Sequence, residues 1–118
     1  MSSRRVERVS QSMRETLAQL LLREIKDPRV RMVTVSRVDL SPDLRNARVY
    51  YGCLGDTEAR EQAQRGLESA AGFLRGQLSR QLHLRYAPEL RFHFDDGFEH
   101  AEHVARLLRG ADDRGESS

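Results

Sequence analysis

Between residues 70 and 85 the chain gathers the residue types that hold a polyanion. Ala70, Ala71 and Gly72 form a run of small residues inside a helical pattern, and Phe73, Arg75, Ser79, Arg80 and Arg85 follow. Glycine is the weak point of a helix, so a break or kink is expected here. A restarted helix would turn the amides of Ala71, Gly72 and Phe73 outward with a partial positive charge. No bulky side chain at Ala71 or Gly72 would hold a phosphate away from them. Arg75 lies one turn on, and Ser79 and His83 continue its stripe at four-residue steps. The bland alternative is that Gly72 allows close helix–sheet packing and the arginines are solvated ends.

Two further basic groups are Arg45 with Arg48, and Arg4 with Arg5 and Arg8; each is equally well a solvated face. Arg48, Tyr50, Arg91 and His93 alternate as an exposed strand face would, which suits base stacking. Tyr50 is as easily covered by the C-terminal segment. With only 7 residues among Phe, Trp and Tyr (4, 0 and 3), shape and phosphate contacts are favoured over extensive stacking.

Catalytic chemistry finds little support. His100 and His103, with Asp95, Asp96, Glu99 and Glu102 nearby, contain the donor types of a metal site, but their spacing matches no recognised ligand pattern. Cys53 alternates with Ala47, Val49 and Tyr51, the position of a small core residue rather than a nucleophile. No glycine-rich phosphate loop or Ser-His-Asp order occurs. The expectation is a protein without catalytic residues, metal or cofactor. The rival classes are a protein-only interaction module, docking through the first helix, and a small metal-dependent enzyme.

The 118 residues suit one domain able to bury a core without staples. A single cysteine excludes an internal disulfide and fits a reducing compartment. The first residues run straight into an amphipathic pattern, so no leader is expected, and no apolar run approaches the ~18 residues of a membrane span. A soluble cytoplasmic protein follows. Charge is asymmetric: residues 1–94 carry 17 basic and 11 acidic side chains, net +6, and residues 95–118 carry 3 and 7, net −4. A basic body points to an anionic partner. Nineteen of the 20 cations are arginine, whose guanidinium makes bidentate phosphate contacts. A GC-rich genome explains that excess equally well.

The elements that must position these groups are legible in the spacing. Val6, Val9, Met13, Leu17, Leu20 and Leu21 recur at three- and four-residue steps, predicting a helix over 4–25 that Asp27-Pro28 stops. Residues 31–40 are rich in β-branched types and read as a strand. Ser41-Pro42-Asp43 supplies a turn, and 46–54 reads as a second strand, with Ala47, Val49, Tyr51 and Cys53 facing one way and Arg48 and Tyr50 the other. The two should pair as an antiparallel hairpin. From Thr57 a helical face of small residues (Ala59, Ala63, Gly66, Leu67, Ala70) precedes a second stripe (Leu74, Leu78, Leu82), which the break at 69–72 would separate into two helices. Pro88 leads into a strand over 90–94. A short helix around 99–109 follows, and the acidic end, 111–118, is expected to be disordered. The order α-β-β-α-α-β, with helices on one face of a three-stranded sheet, is an α+β domain occupying residues 1–110.

That order is the one used by type II KH domains, and four strings in register resemble the ribosome-binding factor A family. They are Arg23-Glu-Ile-Lys-Asp-Pro-Arg29, Ser41-Pro-Asp-Leu44 through Ala47-Arg-Val-Tyr50, Ala70-Ala-Gly-Phe-Leu-Arg75, and Leu84-Arg-Tyr-Ala-Pro-Glu-Leu-Arg-Phe92. The resemblance spans residues 4 to 95. It implies a KH-like monomer that binds the free 30S subunit near the 5′-terminal helix of 16S ribosomal RNA and assists late maturation and processing, with ribosomal proteins as further partners. An ordinary KH domain clamps nucleotides with a Gly-X-X-Gly loop. Here Gly72 and Gly76 are one residue too far apart, and the family's Ala-X-Gly kink matches Ala70-Ala71-Gly72 instead. The candidate site, combining that kink with the basic residues around it, is Ala70, Ala71, Gly72, Phe73, Arg75, Ser79, Arg80 and Arg85, with Arg45 and Arg48.

Overall fold

The computed structural model describes residues 4–95. The short helix expected around 99–109, the acidic end and the His100–His103 group lie outside the described residues. Helix α1 runs Arg4–Arg23 and buries Val6, Met13, Leu17 and Leu20, the stripe that the spacing predicts. Asp27 then caps a single 3-10 turn, Pro28–Val30, by accepting the Arg29 amide at 2.9 Å. Proline at the first position of that turn has no amide to leave unsatisfied. This turn moves the first strand inward: β1 is Val33–Leu40, so Arg31 and Met32 precede it.

Strand β2, Asn46–Cys53, pairs antiparallel with β1 and parallel with β3, Glu89–Phe94, so the sheet order is β1-β2-β3. A bulge falls between Val35 and Arg37. The parallel pairing requires the crossover that helix α2 provides. Every strand has one buried face: Val35, Val38, Ala47, Val49, Tyr51 and Phe92 join the helices in a single core. The central Tyr51 is fully buried, and its hydroxyl donates to Gln64 Oε1 at 2.6 Å. Gln64 Nε2 in turn donates to the Phe92 carbonyl at 3.1 Å, so α2 is tied both to β2 and to the edge strand. Desolvation pushes the Tyr51 phenol above its usual pKa.

The segment expected to be two helices is one, α2, Thr57–Gln81. Asp56 caps its start, accepting the Ala59 amide at 3.0 Å. The two stripes are a single face: Ala63, Leu67, Leu74 and Leu78 are all buried, with Ala70 packed against them. The magnitudes explain why the helix does not break at Gly72. Fully burying Leu74 and Leu78 contributes about 1.5–3 kcal/mol each, while glycine in a helix costs about 1 kcal/mol relative to alanine. The α+β, KH-like arrangement of helices on one face of a three-stranded sheet holds with one helix in place of the pair.

Candidate nucleic-acid interface

Ala71, Gly72 and Phe73 lie inside α2 rather than at a restarted end, so their amides face the carbonyls four residues back. The expected ring of bare amides is therefore not formed. Nor does Gly72 serve close packing, because a Cβ built there would meet nothing within 4 Å. Ala70 and Ala71 are half-buried, Gly72 is exposed, and Phe73 keeps 45% of its surface in solvent. What remains is a smooth, sparsely covered stretch of helix carrying an exposed aromatic. Close approach of another backbone is what such a surface permits.

Arg75 and Ser79, expected to face a ligand, are occupied by the chain itself. Arg75 Nε donates to the Pro88 carbonyl at 2.8 Å, and its Nη2 to the Ala87 carbonyl at 3.3 Å. Nη1 lies 3.7 Å from the Glu89 carboxylate. Ser79 Oγ donates to the Leu84 carbonyl at 3.3 Å. His83 has left the helix altogether: its φ of 55° is left-handed, and the Leu84 amide bonds the Ser79 carbonyl at 2.9 Å. That is the closing arrangement that glycine usually makes after a helix. The stripe of Arg75, Ser79 and His83 thus becomes the clasp that turns α2 into β3.

Two arginines of this stretch remain outside. Arg80, in the last turn of α2, and Arg85 in the following loop are exposed. Arg45 comes from the other loop, and the loop holds it firmly. Ser41 Oγ donates to Asp43 Oδ1 at 2.7 Å, the Arg45 amide donates to the same oxygen at 3.1 Å, and the Asn46 amide donates to Ser41 Oγ at 3.0 Å. These bonds also hold the Asp43 carboxyl below its usual pKa, the Ser41 hydroxyl contributing most. The Arg45 carbonyl accepts the Glu89 amide at 2.7 Å, which joins the hairpin end to the start of β3.

Tyr86 is the functional candidate that sequence reasoning missed. It is 47% exposed, with the Arg45 guanidinium 4.0 Å from its ring centroid and that of Arg85 at 5.7 Å. Two loops far apart in sequence thereby build one exposed cation–aromatic cluster. A single tyrosine in a loop carries no periodicity to mark it.

Arg48 is not part of that cluster. It stands on the open face of the sheet, level with Asp39 on β1 and Arg91 on β3. Arg48 lines a groove of about 430 Å³ between the N-terminal half of α1 and β1, while a second groove, about 320 Å³, follows the β3 edge against α2 and is lined by Gln64, Glu68, Ala71, Arg91, Phe92 and His93. It brings Ala71 onto the same wall as Arg91 and His93. Arg4, Arg5 and Arg8 are exposed on the first turns of α1. Cys53 packs against the core, and burial pushes its thiol pKa up, which disfavours the thiolate that a nucleophile needs.

The ribosome-binding factor A family model matches residues 5–108. Ribosome-binding factor A of Thermomicrobium roseum is 46% identical over 109 residues, covering 92% of this chain and 84% of that one. Among solved structures, a putative ribosome binding factor A of Thermotoga maritima, determined by NMR, superposes with a TM-score of 0.68. It is 36% identical and covers 79% of this chain and 89% of its own. A homology model of the Thermus thermophilus factor, fitted into a cryo-electron-microscopy map of its complex with the 30S subunit, gives a TM-score of 0.51 at 32% identity, over 69% and 89% of the two chains. The order of elements, the small-residue stretch at 70–72 and the similarity over nearly the whole chain agree, and the protein belongs to the ribosome-binding factor A family.

Proposed function

We propose that this protein binds the free 30S ribosomal subunit in the cytoplasm as a monomer and assists its late maturation and the processing of 16S ribosomal RNA. Its contacts are to the RNA near the 5′-terminal helix, and it performs no catalysis of its own. The observation that carries this reading is the cation–aromatic cluster where the hairpin meets the end of α2. Arg45 and Arg85 there, and Arg80 in the last turn of α2, form no ion pair with any described residue, and Tyr86 is exposed beside Arg45 and Arg85. Guanidinium groups left without carboxylates suit phosphates. The bare helix surface at Ala70, Ala71 and Gly72 lets an RNA backbone come close beside them. The Thermus relative in its 30S complex supports the same partner.

The modest charge of the body sets the strength. With ~4–6 phosphate contacts, the logarithm of the affinity should fall with the logarithm of salt at a slope of about −3 to −5. Tight binding then needs the preformed surface of a subunit. Sedimentation with separated 30S subunits, 50S subunits and 70S ribosomes tests this: 30S should retain the protein most, and equal retention on all three would refute it.

A contact with ribosomal proteins is favoured by a second feature. A groove of about 570 Å³ between the end of α1 and β1 is lined by Leu21, Leu22, Ile25, Val30, Val33 and Arg31, and Leu22 is 77% exposed. Leu22→Asp should weaken 30S retention while leaving binding to naked 16S RNA unchanged.

A further inference from the structure

The face of the sheet turned away from the helices carries an arrangement that folding alone does not require. Arg37, Tyr50 and His93 are register partners across all three strands. The Arg37 guanidinium sits 4.0 Å from the Tyr50 ring centroid, and the His93 ring stacks on Tyr50 with centroids 5.4 Å apart and planes 29° from parallel. Tyr50 is on the middle strand, so the stack ends at His93, exposed on edge strand β3.

The next row holds Arg48 directly beside Arg91. Like charges side by side on adjacent strands are unfavourable, and the nearest strand carboxylates bond elsewhere. Asp39 is turned to Arg37 at 3.4 Å, Asp95 accepts the Ser36 hydroxyl at 2.7 Å, and Glu89 is the partner of Arg75. Neither Arg48 nor Arg91 has an ion-pair partner among the described residues. On the other side of the stack, the same face of β2 continues to Gly52, where a Cβ would meet nothing within 4 Å.

We propose that this open sheet face is a second RNA surface, distinct from the Arg45–Arg85–Tyr86 cluster, which takes an unpaired base on the His93–Tyr50 stack and its phosphate between Arg48 and Arg91. The spacing suits that division. Residues two apart on a strand are about 6.7 Å apart, so a stacked base and a neighbouring phosphate can be held together. Charge selects the occupant: adjacent cations with no ion-pair partner among the described residues, beside a π-stack, match single-stranded nucleic acid and not an apolar peptide. The proposal rests on the reading that the protein binds RNA. It adds that the protein touches RNA with two surfaces and so holds two RNA segments in fixed relation.

The test is a titration of the isotopically labelled full chain with single-stranded hexa-adenylate RNA at low salt. The His93 and Tyr50 ring protons should move upfield as a base stacks on them. The Arg48→Gln/Arg91→Gln double variant should bind on the order of tenfold more weakly, with the salt slope shallower by about 1.4, corresponding to two lost phosphate contacts on a single strand. His93→Ala should weaken binding by a similar factor. The ring response of the unsubstituted chain stands even where a variant folds poorly. Binding that shifts only Arg80, Arg85 and Tyr86 signals, and that the double variant leaves intact, overturns the second surface while the α2 end stands. Contacts in the free chain between residues 96–118 and the His93 ring would overturn it too. Failure to bind either hexa-adenylate or 30S subunits removes both readings.

Discussion

Two glycines six residues apart in the same helix have opposite surroundings. A Cβ on Gly66 would lie 2.8 Å from Val30 Cγ1 and 3.1 Å from Arg29 Cβ, whereas one on Gly72 would touch nothing. Gly66 is where α2 presses onto the Pro28–Val30 turn. That turn is held by Arg29, whose Nε and Nη2 donate to both Asp27 oxygens at 2.7–3.1 Å, and whose Nη2 reaches Ser69 Oγ at 3.4 Å. Gly72 sits on the same helix with helical backbone and free space, and it weakens the helix without any packing return. One glycine is explained by the packing of the fold and the other is not.

The sharpest way to break the contrast is substitution at both positions. Gly66→Val should destabilise by about 1–3 kcal/mol, because the branched side chain must displace Val30 or the Arg29 stem. Urea unfolding measures it, and an unchanged midpoint would mean that the turn yields easily. Arg75→Ala removes two hydrogen bonds from a charged donor to loop carbonyls and should cost about 1–2 kcal/mol. Faster amide exchange should be confined to residues 82–89, marking Arg75 as part of the clasp and not of the RNA surface. Gly72→Ala should instead stabilise by about 0.4–1 kcal/mol, since alanine fits the site and is the better helix former. The same variant should bind 30S subunits less well. A stabilised variant with full subunit binding would leave Gly72 without a role.

The smallest effect concerns the Asp27–Arg29 clamp. The hydrogen bonds from Arg29 hold the Asp27 carboxyl below its ordinary value of 3.8. A folded-state pKa below the unfolded one of about 3.9 means that the unfolded chain takes up the proton first. The clamp's contribution is therefore present above that value and lost as the pH falls through the lower, folded one. Urea midpoints compared at pH 6 and pH 3 should show a drop that is smaller in Asp27→Asn.

Much of the fold was readable because its signals are periodic and local. The α1 stripe, the alternation in 46–53 and the turn residues at 41–43 each follow from neighbours a few positions apart. The break expected at 69–72 does not form, because the flexibility of glycine is a local property whereas the burial of Leu74 and Leu78 that carries the helix through depends on the sheet beneath. The candidate site fared less evenly. The exposure of Arg45, Arg48, Arg80 and Arg85 agreed with polar positions in the pattern, whereas Arg75 and Ser79 were drawn into the clasp and Tyr86 was not marked by any spacing.

Sequence alone determined the number and type of strands, the long amphipathic first helix, the basic body and the family, because each rests on residue types at short, regular separations. Only the tertiary structure decided which arginines are free. Whether a guanidinium meets a carbonyl, a ring or water depends on which loops and strands fold beside it, and those neighbours come from tens of residues away.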